Sequence, residues 1–387
     1  MNTHNTNDKP PPSSSSSKKA EKECVVSSST SSSSTSSTTT TTTYEPHQPD
    51  PSLLEAYRYI NEIPGKNIRG KLVDCFQLWY PVEDPHVLQQ IKDIIGDLHN
   101  ASLLVDDIED NSKLRRGVPV AHSIFGIPAV INTANYVYFL ALEKCHALHN
   151  PQAMEVFVGE LLNLHRGQGH DIAWRDNVHC PTEEEYCHMV KDKTGGLFRL
   201  AVGLMKACAT KKTSPQGEMG NDDLTTTPLV DNLGLYFQIR DDYINLADEE
   251  YMKSKSFCED LSEGKFSFPI IHCVYHQSRH EKNDTRLLHI LKQRTDDVDI
   301  KRYAQQMMRE AGSLDYTRDF CQTIKQTIQH QIEALGGNKP LWQLMEYLDI
   351  QLEGVAATER ENCVKEKVLV SPRKGGKGAT QHDTSLS

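Results

Sequence analysis

Apolar residues recur three and four positions apart along nearly the whole chain from Leu53 onward, while strict alternation is almost absent. A period of about 3.6 residues is typical of amphipathic helices, so the pattern predicts an all-α protein. Towards the C-terminus, helical patterns cover 267–279, 284–294, 299–311, 313–335 and about 340–357. The segment NYVYFLALEKC is apolar on most sides, which indicates a central helix of a large bundle.

The 387-residue chain is expected to hold one folded region between two unstructured ends. Residues 1–48 are expected to be disordered, because their Ser/Thr tract buries too little apolar surface to offset the entropy of ordering. Residues 49–360 carry the helical pattern, and 361–387 are expected to form a flexible tail. The polar stretch 210–228 is predicted to be a surface insertion between two helices.

Composition excludes several classes of function. A net charge of −11 argues against a nucleic-acid binder, which would carry a basic stripe. The ten cysteines include no CxxC pair, so they are interpreted as scattered thiols of a reducing compartment rather than as zinc ligands. No apolar run is long enough for a transmembrane helix, and the expected location is therefore the cytoplasm.

The first acidic motif, DDIED at 106–110, is followed at once by the basic segment SKLRR. On a helix, Asp106 and Asp110 lie one turn and about 40° apart, and His99 lies about 20° from Asp106. One face of this predicted helix is therefore polar. A solvated helix end would show the same residues, and this motif alone favours that interpretation.

The second acidic motif, DDYIN, repeats the same spacing on another apolar helix, with Asp241, Asp242 and Asn245. Gln238 falls about 20° from Asn245 on the same face. Carboxylates packed on one face repel each other unless a cation compensates them. Mg²⁺ suits this arrangement, because it takes one or two carboxylates together with water and substrate phosphates. Two such motifs therefore favour a metal site over a solvated helix end.

Five motifs together carry a family resemblance. In chain order they are DDIEDNSKLRRG, GQGHDIAWRDN, KDKTGGLF, FQIRDDYINL and KSFCEDLSEGKFSFPIIH. Over about residues 53–353 the chain resembles the short-chain trans-prenyl diphosphate synthases, in particular the eukaryotic geranylgeranyl-producing members. The resemblance implies a large orthogonal helix bundle around a central active-site cavity. It also implies a homodimer or higher homo-oligomer that condenses isopentenyl diphosphate with dimethylallyl, geranyl or farnesyl diphosphate.

The same resemblance assigns roles to individual residues. It implies about three Mg²⁺ ions per site, bound by Asp106, Asp110 and Asp241, with support from Asp107, Asp242 and Asn245. The allylic diphosphate would be held by Arg115, Lys193, Lys255 and Lys265. The diphosphate of the co-substrate would be held by Lys66, Arg69, His99 and Arg116. Any one of these lysines, taken alone, is more simply explained as a solvated surface cation.

Two glycines follow Lys193 and Thr194 inside a helical pattern, where each costs about 1 kcal/mol relative to alanine. A kink is therefore predicted there. We expect it to turn freed carbonyl oxygens, the Thr194 hydroxyl and Gln238 towards the carbocation of the reaction.

The small residues Ala101 and Ser102 precede the first acidic motif by about one turn. In the farnesyl-producing members of the family that the chain resembles, an aromatic side chain there stops the growing chain early, so the resemblance predicts a C20 product. Deeper aromatic residues could set the final floor or could be bundle core, and both interpretations stay open for Tyr136, Tyr138 and Phe139. Phe266 and Phe268 are expected to be core.

Two rival functions remain to be weighed. A terpene cyclase is also all-α and uses an aspartate-rich helix, but such enzymes usually carry a different second motif and lack the co-substrate cations. A non-catalytic subunit of a prenyl synthase tends to lose one acidic motif, and this chain has both. Calcium binding by an EF-hand is disfavoured, because the segment lacks the loop glycine and the twelve-residue layout.

Overall fold

The computed structural model describes residues 48–63, 65–210, 226–247, 257–280 and 284–349. Most of the predicted N-terminal extension, most of the polar insertion, the C-terminal tail and Lys255 lie outside these residues. Within them the chain is helical almost throughout, so the all-α prediction is confirmed. One two-stranded hairpin interrupts the helices, with strands Leu114–Arg115 (β1) and Val118–Pro119 (β2).

The helices are numbered here in chain order. The first nine are α1 Glu55–Glu62, α2 Ile68–Phe76, α3 Pro85–Glu109, α4 Ala121–Phe125, α5 Ile127–His146, α6 Pro151–Asn177, α7 Glu183–Lys193, α8 Gly195–Cys208 and α9 Thr227–Ala247. The next five are α10 Glu259–Glu263, α11 Phe268–His280, α12 Arg286–Gln293, α13 Val298–Glu310 and α14 Ser313–Ala334. A further helix covers 339–349.

Local sequence signals explain where the central helices begin. Asp84 caps α3 by accepting the amide of His86 at 2.8 Å, with a proline at the first helical position. Asn150 caps α6 in the same way, and Thr182 with Glu185 forms a reciprocal capping box at α7. These side chains satisfy amides that have no partner within the helix.

Helix α3 packs against α5 and α8, α6 packs against α7 and α8, and α9 packs against α8 and α14. The main apolar core runs through these contacts, and Phe266 and Phe268 are buried in it as expected. A smaller apolar cluster joins α1, α3, α4 and α5. In the part of the chain that is described, no helix has the length and hydropathy needed to cross a bilayer.

The junction between α7 and α8 is approached closely by glycines of two neighbouring helices. The helix is interrupted at Thr194, as the KTGG sequence predicted. A methyl group added to Gly167 of α6 would lie 2.4 Å from the backbone nitrogen of Lys193, and one on Gly234 of α9 would lie 2.8 Å from Cα of Gly195. Both neighbouring helices therefore touch this junction with bare backbone, which fixes the place of Lys193 and Thr194.

We predict that Gly234→Ala lowers the free energy of unfolding by about 1–3 kcal/mol, because the added methyl meets backbone that cannot rotate away. The matched control is Gly169→Ala on α6, where a methyl group meets no atom within 4 Å. That control should be neutral or stabilising by up to about 1 kcal/mol. Urea unfolding of both variants checks the prediction, and equal stability of the two would contradict the close contact.

Candidate active site

One cavity of about 990 Å³ collects most of the residues predicted from the sequence. It is lined by Lys66, Arg69, His99, Ser102, Asp106, Asp110, Arg115, Arg116, Lys193, Thr194, Gln238, Asp241, Asp242 and Lys265. Three predicted residues, Ala101, Asp107 and Asn245, are not part of its lining. The two acidic motifs thus face one space from α3 and α9.

Asp106 and Asp110, two of the three cavity carboxylates at the end of α3, are held from neighbouring segments. Asp106 accepts Gln168 Nε2 at 3.3 Å and lies 3.4 Å from Arg115 Nη2. Asp110 is the residue that ends α3, and it is paired with the buried guanidinium of Arg175. Burial and the neighbouring Asp106 raise the pKa of Asp110 to about 6.

Asp107 is buried behind the cavity, where it pairs with Arg115. The hairpin explains this geometry, because Arg116 and Gly117 both have positive φ, as a tight two-residue turn of type I′ requires. Arg115 Nε reaches Asp107 at 2.9 Å, while Arg116 turns back to donate to the carbonyl of Ile63 at 2.5 Å. Two adjacent arginines therefore serve different parts of the cavity.

On α9, Asp242 is buried and accepts three donors. These are Tyr186 Oη, the amide of Phe268 at 2.9 Å and Gln238 Nε2 at 2.9 Å. Asn245 accepts the amide of Asp260 at 3.3 Å. These two residues tie the second acidic motif to the segment around α10 and α11, while Asp241 lines the cavity.

Two cationic side chains, Lys193 and Lys265, stand among the carboxylates. Lys193 Nζ lies 2.6 Å from Asp171 Oδ2 and 3.7 Å from Asp106 Oδ1. Burial alone would lower the pKa of Lys265, but Asp171, Asp260, Glu263 and Asp110 together hold it well above its usual value. Both lysines are therefore charged, although they are largely removed from solvent.

A second cationic group lies around the turn between α1 and α2. Arg69 is packed against the rings of Phe198 and Phe237, with its guanidinium carbon 5.5 and 5.9 Å from their centroids. Its Nη1 lies 3.2 Å from His99 Nε2, and its buried Nε has no hydrogen-bond partner among the residues that the structure describes. The guanidinium of Arg116 rests on Gly65, where a methyl group would lie 2.8 Å from Nη2. Gly65 thus admits the arginine to the cavity wall.

Thr194 and Gln238 meet at the helix junction. The Thr194 hydroxyl donates to Gln238 Oε1 at 2.8 Å, and Gln238 in turn donates to Asp242. This chain links the junction to the second acidic motif.

The residues considered for chain length fall in different places. Ser102 lines the cavity, whereas Ala101 is fully buried in the smaller apolar cluster. Tyr138 also lines the cavity, but Phe139 points outward with 69% of its surface exposed. Tyr136 accepts the amide of Asp50 at 3.2 Å and is not part of the lining. Of these three aromatic residues, only Tyr138 lines the cavity.

Several functional neighbours were not identified from the sequence. Gln168, Asp171 and Arg175 of α6 hold Asp106, Lys193 and Asp110 respectively. Their spacing of i, i+3 and i+7 places them on one helix face, which is a signal that the sequence already contained. Tyr186 and Glu263 gave no such signal, because their partners lie far away in the chain.

The family comparison agrees with this geometry. A family model described as polyprenyl synthetase matches residues 50–308. The chain belongs to the polyprenyl synthetase family. Membership confirms the resemblance and the fold class predicted from the sequence.

Individual relatives match most of the length of this chain. The geranylgeranyl pyrophosphate synthase of Dictyostelium discoideum is 50% identical over 307 residues, which are 79% of this chain and 96% of that protein. The one from Mucor circinelloides f. lusitanicus is 48% identical over 299 residues, 77% of this chain and 93% of that protein. A protein of Matsumurasca onukii named terpene synthase is 48% identical over 289 residues, which are 75% of this chain and 90% of that protein.

Membership of the polyprenyl synthetase family suggests a divalent metal cofactor, and the donor set fits one. The cavity offers carboxylate oxygens from two helices, which suit a hard cation that also takes water and phosphate ligands. Among the described residues, no three His, Cys, Asp or Glu side chains converge closely enough to hold an ion alone.

We predict that His99 makes folding sensitive to acid. Burial and the nearby arginines, Arg69 first, hold its pKa well below the usual 6.5. Below pH 6.5 the unfolded chain therefore binds a proton that the folded protein does not, and stability falls by up to about 1.4 kcal/mol per pH unit. Between pH 7 and pH 5, His99→Gln should lose about 2 kcal/mol less stability than the wild type in urea titrations. Equal pH dependence of the two proteins would contradict this.

Proposed function

We propose that the chain is a prenyltransferase that condenses isopentenyl diphosphate with dimethylallyl, geranyl or farnesyl diphosphate and ends at geranylgeranyl diphosphate. One observation carries the proposal. A single cavity is faced by two acidic helices and by two separate groups of cations. The two acidic helices, with the cations beside them, suit a metal-bound diphosphate. The separate cation group around Arg69 suits a diphosphate that is held by side chains alone.

The allylic half of the cavity has to promote the loss of a diphosphate. Asp106, Asp110 and Asp241 would hold about three Mg²⁺ ions, which when bound neutralise the charge of the leaving group. Arg115, Lys193 and Lys265 are already charged and fixed by carboxylates, so they can stabilise the negative charge that develops as the carbon–oxygen bond breaks. Lys255 is proposed to assist them.

The other half of the cavity holds the nucleophile. Lys66, Arg69, His99 and Arg116 are proposed to bind the diphosphate of isopentenyl diphosphate, with the arginine forks suited to phosphate oxygens. Its double bond then attacks the allylic carbon, a carbon–carbon bond forms, and one proton is lost to the departing diphosphate. Thr194 and Gln238 are proposed to stabilise the positive charge between these steps.

The rival functions are less well supported. A terpene cyclase has one diphosphate to bind, and the second cation group around Arg69 would then have no role. The relative that is named terpene synthase keeps that alternative open to experiment. A non-catalytic subunit is disfavoured, because both acidic motifs face the cavity.

We also propose a cytoplasmic homo-oligomer. The outward faces of α5 and α6 carry exposed apolar side chains, which a second copy would cover: Ile127, Ile131, Phe139, Val158 and Leu162. Sedimentation velocity should report at least twice the mass of one chain, and a monomer at micromolar concentration would contradict the proposal.

The function is tested by product chromatography with purified protein, Mg²⁺, isopentenyl diphosphate and each allylic primer supplied separately. We predict a C20 product from all three primers, because Ser102 leaves the cavity open next to the first acidic motif. Asp106→Ala and Asp241→Ala should each abolish the product. A predominant C15 product, a product of C30 or longer, or a cyclised hydrocarbon would contradict the proposal.

The chain length of the product can be tested with one further variant in the same assay. Ser102→Phe should shift the product towards C15, because the ring would occupy the cavity beside Asp106. Ser102→Ala is the matched control and should still end at C20. Ala101 stays a candidate for chain length, although Ala101→Phe would also overpack a fully buried site.

A further inference from the structure

Arg175 lies at the end of α6 behind the first acidic motif. Its side chain is only 7% exposed, and its Nη1 contacts Asp110 Oδ1. Nη2 donates to the carbonyl of Glu109 at 3.0 Å, in the last turn of α3. The guanidinium therefore holds both the carboxylate of Asp110 and the backbone from which it projects.

Arg175 differs from the other cations near the metal-binding carboxylates in its access to the cavity. Arg115 and Lys193 line the cavity, so both can exchange a carboxylate for an entering diphosphate. Arg175 is not part of the lining, and it pairs with Asp110, which is. Its positive charge consequently stays on Asp110 whether or not substrate is present.

Asp110 is held by one oxygen only. Its Oδ1 receives Arg175, while Oδ2 accepts no hydrogen bond from any residue in the described ranges. A carboxylate with one oxygen bound to a guanidinium can still bind a metal cation through its other oxygen. The positive charge of the adjacent guanidinium repels that metal cation. An entering diphosphate supplies the negative charge that offsets this repulsion.

We propose that Arg175 is a positioning residue whose fixed charge keeps Asp110 from binding a divalent metal before a diphosphate arrives. The inference rests on the proposed function, since it takes Asp110 to be a metal ligand. Its consequence is an order of binding in which metal and allylic diphosphate enter together. A purely structural ion pair would hold α6 to α3 without affecting metal affinity.

The experiment measures Mn²⁺ binding by electron paramagnetic resonance, with purified full-length protein and no diphosphate present. Arg175→Gln should bind Mn²⁺ roughly tenfold or more tightly than the wild type, because one repelling charge is removed. Arg175→Lys keeps the positive charge that repels the metal and should stay within about threefold of the wild type. If Arg175→Gln does not fold, citrulline at position 175 keeps the shape of arginine without its charge and carries the same expectation.

The matched control is Arg294→Gln, which removes the exposed ion pair with Asp176 at the same end of α6. It should leave Mn²⁺ affinity unchanged. Affinity in Arg175→Gln that equals or falls below that of the wild type would overturn the inference and leave Arg175 as a structural contact. A wild type that binds no Mn²⁺ even with a non-reactive allylic diphosphate analogue would instead overturn the proposed function, and this inference with it.

Discussion

Mutual repulsion among carboxylates that face one cavity is the constraint on which the rest of this structure depends. Asp106 and Asp110 approach from α3, and Asp241 faces the same space from α9. Such groups stay ionised at partial burial only when cations stand close by. The chain supplies those cations from other elements: Arg115 from the hairpin, Lys193 from the end of α7, and Arg175 from α6.

The need to place these cations accounts for much of the local geometry. Lys193 reaches Asp171 and Asp106 because α7 stops at Thr194, and α6 and α9 meet that junction through glycines. Arg115 reaches Asp107 because a two-residue turn folds the chain back beside the end of α3. Without a substrate, the carboxylates of the site are therefore paired with cations of the same chain. When a diphosphate binds, most of these cations can exchange their carboxylate partner for a phosphate oxygen. We regard this exchange of partners as the link between the fold and the chemistry.

The sequence predicted the fold well, because helices such as α3 and α9 carry long uninterrupted periods with their polar residues on one face. The helix break at Thr194 was also predictable from two adjacent glycines. The hairpin was not, since strands of two residues are too short to show alternation. The sequence also could not show which of Ala101 and Ser102 lines the cavity. Neighbouring helical residues point about 100° apart, and the packing of α3 against α5 decides which of the two faces the cavity.

Pairings between residues that are distant in sequence were the features of the site that the sequence predicted least well. Nothing near Asp110 indicates that Arg175 binds it, because that pairing depends on how α6 lies against α3. Asp242 likewise depends on Tyr186 and the amide of Phe268, which come from two other helices. Periodicity gives the face of each helix, but it does not give the angle at which two helices meet.

The central claim is that both acidic helices serve one metal-bound diphosphate. Anomalous diffraction from crystals grown with Mn²⁺ and a non-reactive allylic diphosphate analogue tests it directly. We expect manganese peaks that join Asp106 and Asp110 on one side, and Asp241 on the other, to the same diphosphate. Manganese on one helix alone, or a diphosphate bound at Arg69 and Arg116 with no metal on either acidic motif, would contradict it.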